Sequence, residues 1–190
     1  MSSETTSIVS AIIAIASALI AIYAVYVPRR DQHDQQLLQQ AILSLERAYK
    51  SLTNNGQHLK PPAADRLNWL TSARHIIGYK VLKSRIKTKL YFTLCEEHEE
   101  YWRHEFYLAL DMHKIHSSSY YEQGPPPDLR PPIEPRSAII IYSFASWPKS
   151  KSDPVDSIDA KSLLQQSDFL AGNHGLREYL EKFPKITGET

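Results

Sequence analysis

Residues 7–27 read SIVSAIIAIASALIAIYAVYV, with no charged side chain in the run, and residues 28–30 are PRR. As a helix, about 21 residues at 1.5 Å each span roughly 31 Å, which matches the ~30 Å hydrocarbon core of a bilayer. A core helix of a water-soluble domain normally shows a polar face, and this run has none. A cleaved signal needs a cationic leader and a shorter apolar stretch, whereas residues 1–6, MSSETT, hold Glu4 and no Lys or Arg. The expectation is a transmembrane helix over 7–27 behind a short extramembrane tail, 1–6. Cationic flanks stay on the cytoplasmic side, so Arg29 and Arg30 place the N-terminus outside and the rest of the chain in the cytoplasm. Tyr23 and Tyr26 fall near the exit, where amphipathic rings suit the interface.

All 22 Lys and Arg and all the acids except Glu4 follow this run, so the remainder carries about +2. That is no electrostatic footprint for nucleic acid. A single cysteine, Cys95, forms no internal disulfide and suits a reducing compartment. With six glycines the chain has no phosphate-cradling Gly-rich loop, and it has no internal repeat.

Residues 28–56 read as a juxtamembrane amphipathic helix that stops at NNG, 54–56. Leu38, Ile42, Leu45, Tyr49 and Leu52 recur at spacings of 4, 3, 4, 3, a narrow apolar seam, with Glu46 and Lys50 as an i,i+4 pair on the other side. Ser10, Ala14, Ser17, Ala21 and Ala24 repeat the same spacing in the apolar run, and small residues let helices approach in lipid. The seam either packs on its own domain or carries self-association, and both readings stand at this point.

Residues 57–190 read as a helical soluble domain. A helix starts at Pro61 and Pro62, with Leu67, Leu70, Ala73, Ile77 and Val81 on its apolar face and Trp69 and Ile76 beside it. A third helix over 88–114 has one row of Phe92, Cys95, Trp102, Phe106 and Ala109 and a neighbouring row of Leu94, Tyr101, Leu108 and Met112. Residues 117–135 hold half of the chain's 12 prolines. They form a surface segment that wraps the helices or serves a proline-reading partner. In 136–150 three consecutive isoleucines favour a strand, but no second strand exists to pair with it. Pro135 before and Pro148 after favour a helix. Two short helices split near Gly172–Gly175 complete the chain. The fold class expected is all-α: one N-terminal transmembrane helix, then a helical cytoplasmic domain with a Pro-rich loop.

The densest polar stretch is CEEHEEYWRHEF, 95–106. His98 and Glu99 fall within apolar rows, where polar groups need partners. As a site, His98 would be a general base, with Glu99 and His104 beside it, or Cys95, His98 and Glu99 would be metal ligands. The plainer reading is a salt-bridged helix with Glu99–Arg103 and Glu100–His104 pairs. No Glu-x-x-His pair on two helices, no Cys-x-x-Cys and no nucleophile elbow is present, so neither metal nor cofactor is expected. A second cluster, Lys80, Lys83, Arg85, Lys87 and Lys89, suits membrane headgroups or phosphates, or is a solvated helix end. The function expected is a membrane-tethered interaction or scaffold module. Its partners would be the bilayer, an unidentified protein and a second copy; nucleic acid is disfavoured. The alternatives are a tethered enzyme around His98, Glu99 and His104, and a small membrane-acting effector or toxin.

Overall fold

The computed structural model describes residues 3–57, 60–111, 117–122, 131–149, 151–166, 168 and 170–184; the side chains of 3–13 and of Ile22 lie outside that description. Every regular element among the described residues is helical. The chain forms two compact units, Met1–Trp147 and Pro148–Thr190.

The first unit is built on α1, Ser3–Leu52, a helix of 50 residues and about 75 Å. Pro28 lies inside it, so the apolar run and the amphipathic helix expected over 28–56 are one continuous element as far as Leu52. Proline there removes one i→i−4 bond and costs roughly 3 kcal/mol in a helix interior. The surrounding side chains, Tyr23 to His33, are all exposed, so no freed carbonyl is sealed in a core. Among the described residues no helix is long and apolar enough to cross a membrane. Residues 7–13 and Ile22 of the expected span lie outside the described side chains, so that span is established as helical backbone and no further.

From Asp34 onward α1 becomes the spine of a core. Leu38, Ala41, Leu45, Ala48 and Leu52 are buried, with Ile42 and Tyr49 packed against them. The buried side of the seam therefore includes the small residues Ala41 and Ala48 beside Leu45 and Leu52. Small residues bring α2, Arg66–Arg85, close: the Ser44 hydroxyl donates to the His75 carbonyl at 2.9 Å, and Gly78 faces Ser44. The NNG stop works through left-handed backbone, with φ of 49°, 60° and 84° at Asn54, Asn55 and Gly56, and the Asn55 N–H closes back on Lys50 O.

Two expectations for α2 are corrected. It starts at Arg66, not at Pro61 and Pro62, because Asp65 caps it by accepting from the Asn68 N–H at 2.8 Å. Pro62 is buried ahead of the helix and its carbonyl accepts from Tyr120 Oη. The buried face is Trp69, Ser72, Ala73, Ile76 and Tyr79, whereas Leu67, Ile77 and Val81 point outward. Apolar residues surround this helix, so its partners choose which side is covered.

α3, Lys89–Leu110, buries Cys95, Phe106, Ala109 and Leu110, while Phe92, Tyr101 and Leu108 of the expected rows are exposed. Asp111 ends the helix with φ 45°; Met112 lies outside the described residues. α4, Pro135–Ala145, is the helix bounded by Pro135 and Pro148, and Glu134 caps it through the Ser137 N–H at 2.7 Å. A run of aromatic contacts crosses all four helices: Trp102–Tyr49 at 5.4 Å, Tyr49–Phe106 at 5.6 Å, Phe106–Phe144 at 5.3 Å and Phe144–Tyr79 at 6.3 Å. Such rings bury 150–250 Å² each and prefer these tilted and edge-on arrangements. A second group, Trp69 with Tyr120, Tyr121 and Tyr142, fastens residues 117–122 of the Pro-rich segment onto α2 and α4. Residues 123–130 of that segment are outside the described residues.

The second unit contains a 3-10 turn, Pro154–Ser157, and two short helices, α5, Ala160–Gln166, and α6, His174–Leu180. None of its described residues is buried.

Candidate functional site

The polar centre of the four-helix body is Glu99. Its neighbours in sequence do not share it: His98 and His104 are exposed on the outer side of α3, so the three candidate catalytic residues are not brought together. Glu99 instead turns inward. Oε2 accepts from Tyr79 Oη at 2.6 Å and from Lys83 Nζ at 2.7 Å, and Oε1 accepts from Arg103 Nη2 at 2.6 Å. Arg103 Nη1 donates in turn to the Phe144 and Ser146 carbonyls at 2.5 and 2.7 Å, which caps the C-terminal end of α4 with a cation. Lys83 also reaches Glu96 at 3.4 Å and lies 5.0 Å from the Phe92 ring centre.

This network decides the charge states. Burial alone would raise the Glu99 carboxyl, but hydrogen bonds from Lys83 and Tyr79 and the Lys83 and Arg103 charges outweigh it and hold it below the ordinary range. Burial, reinforced by the Glu99 carboxylate, pushes the Tyr79 phenol far up. Burial also raises the Cys95 thiol, which the Tyr79 hydrogen bond offsets only in part. A carboxylate with three donors and a protonated thiol offer neither a general base nor a nucleophile near pH 7. Glu99 is a clasp joining α2 and α3 to the end of α4. Among the described residues no group of three or more His, Cys, Asp and Glu is placed to hold a metal.

The seam residues are likewise committed. Leu38, Leu45 and Leu52 are in the core of their own unit, and Ile42 and Tyr49 pack against it, so none forms a free stripe on the body.

A second polar feature sits where α1 enters the body. Asp34 is buried, and its Oδ2 accepts the Lys87 and Thr88 N–H groups at 3.0 and 2.7 Å. It thereby ties the turn that leads into α3 to α1. Burial would raise the Asp34 carboxyl; hydrogen bonds from Thr88 and Lys87, aided by Arg30, prevail and lower it. Next to it Tyr91 Oη donates to Asp31 at 3.1 Å. These bonds hold the α2–α3 turn against α1, and a groove of about 800 Å³ opens between them, lined by Tyr26, Arg29, Arg30, His33, Asp34, Arg85 and Lys87. Of the five clustered cations, Arg85 and Lys87 therefore enter a built site, Lys83 is taken by Glu99, and Lys80 and Lys89 are exposed outside the groove. The sequence signal for this arrangement is Asp34 itself, an acid in phase with the apolar seam. Its pairing with a turn more than fifty residues away has no local signature. Comparisons with protein-family models, with curated proteins and with solved structures give no match to this chain.

Proposed function

We propose that the protein is a membrane-tethered interaction module, with a single-pass anchor in the first half of α1 and a helical body held on the cytoplasmic side by the second half. The observation that carries this reading is the division of one helix. Ile15, Leu19, Ile20, Tyr23, Val25 and Tyr26 are exposed and outside the core of the described residues, whereas from Asp34 to Leu52 the same helix is the spine of that core. Apolar side chains left bare in water are unfavourable at roughly 25 cal/mol per Å², and a bilayer removes that cost. Arg29 and Arg30 at the junction supply the orientation. The interaction role is supported by the exposed apolar residues Leu67, Ile77 and Val81 of α2, outside its buried face, and by Ile158, Leu163 and Phe183 of the second unit.

The test is alkaline extraction of membranes from cells expressing the full chain, followed by protease protection of sealed vesicles. The chain should stay in the carbonate-resistant pellet, and its body should be cut only on the cytoplasmic face. Ile15→Asp with Leu19→Asp should move it to the supernatant. Wild type in the supernatant would refute the anchor, and a body protected on the other face would refute the orientation.

A further inference from the structure

We propose that the groove at the junction of α1 and the α2–α3 turn binds the phosphate headgroup of an anionic membrane lipid, whose acyl chain lies along the exposed apolar side of α1. This rests on the membrane-tether reading and adds a ligand to it. Four cations, Arg29, Arg30, Arg85 and Lys87, line one groove, although two pairs of them lie more than fifty residues apart in sequence. None of these four side chains makes a salt bridge among the described residues. The one carboxylate in the groove wall, Asp34, is buried and already accepts two backbone N–H groups, so it leaves the cations in excess. Its two bonds hold the backbone at Lys87 and Thr88, so the turn that carries Arg85 and Lys87 is anchored beside Arg29 and Arg30.

Depth and continuity point to a lipid. The last apolar residue, Val27, is two positions before Arg29, about 3 Å along the helix, so the groove opens at headgroup level. An exposed apolar strip of α1, formed by Ala21, Val25 and Tyr26, leads away from Arg29. The groove and the strip meet at Tyr26 and Arg29, so a phosphate in the basic groove would have its hydrocarbon beside Val25 and Ala21. A phosphate ester that is free in water has no use for that apolar strip. Arginine pairs suit phosphate oxygens through their fork of donors.

The full chain, purified in detergent, would be offered phosphatidylglycerol and phosphatidylcholine in equal amounts, and the retained lipid read by native mass spectrometry. Wild type should keep phosphatidylglycerol in preference. Arg85→Gln with Lys87→Gln, two exposed positions outside the core, should lower that retention by about thirtyfold. Arg74→Gln with Lys80→Gln removes equal charge from the exposed side of α2 and should change it little. Equal loss in both pairs, or none in the first, overturns the site. Displacement of the lipid by inorganic phosphate or by a short oligonucleotide at equal concentration also overturns the assignment to lipid. Membrane fractionation of the same variants reads the tether separately: the Arg85 and Lys87 variant should remain in the membrane pellet. A wild type found in the supernatant would sink the tether, whatever lipid the detergent-solubilised chain retains.

Discussion

Glu99 gathers three donors, and replacing it tests the body one side chain at a time. Glu99→Gln keeps the volume but leaves Lys83 and Arg103, at 17 % and 12 % side-chain exposure, without their carboxylate. Removing one partner of a fully buried pair costs about 3–5 kcal/mol, and the residual exposure brings the expected loss to about 2–3 kcal/mol. It would be read as a lower urea midpoint at unchanged slope. The pH dependence has a definite sign. The Glu99 carboxyl lies below its ordinary value of 4.5 in the folded chain, so the unfolded chain takes up the proton first. Its contribution is complete above about pH 4.5 and is lost as pH falls through the lower folded value. Wild type should therefore lose stability in that acid window more steeply than Glu99→Gln, with Asp34, depressed in the same direction, supplying part of what remains. Identical slopes would contradict the assignment. Ser72 tests the opposite case. Its hydroxyl is buried with no partner among the described residues, so Ser72→Ala should raise stability by about 1 kcal/mol.

α2 is the element on which sequence and structure part, and two adjacent isoleucines measure the difference. Ile76 is fully buried and Ile77 is 47 % exposed. Ile76→Ala should cost about 2–4 kcal/mol, whereas Ile77→Ala should fall within about 0.5 kcal/mol, both by urea unfolding. The reverse order would restore the face that Leu67, Ile77 and Val81 suggested. Periodicity could not choose, because Leu67, Trp69, Leu70, Ala73, Ile76, Ile77, Tyr79, Val81 and Leu82 together leave no wide polar side on the helix. Where a pattern is local, it was readable. The α1 seam, the Asn54–Gly56 stop, the Pro135 and Pro148 bounds and the Glu46–Lys50 and Glu99–Arg103 pairs each need only neighbours within a turn or two. The Glu99 clasp was half legible for the same reason. Arg103 stands four residues away, but Tyr79 and Lys83 come from another helix, and His98 looked equally inward until α3 had a rotation.

For the whole molecule, the same α1 that carries the proposed anchor also carries the core of the body, and this sets how the two can be separated. Ile42→Asp with Leu45→Asp puts a charge into a fully buried position at Leu45, so it should unfold the body and not merely split an assembly. Self-association therefore has to be tested by subtraction of the exposed half. A truncation starting at Asp31 keeps the Tyr91 contact to Asp31, the Asp34 bonds to the α2–α3 turn and every buried residue of α1. It discards only residues whose described side chains are exposed. That fragment should fold in water without detergent, melt cooperatively by circular dichroism and have the mass of one chain by light scattering. The full chain should need detergent, and its protein mass there reads any association made through the apolar half. A truncated fragment that is dimeric would return assembly to the surfaces of the body, such as the outward row of α2. One that is unfolded would show that the first half of α1 stabilises the body beyond the contacts that begin at Asp31.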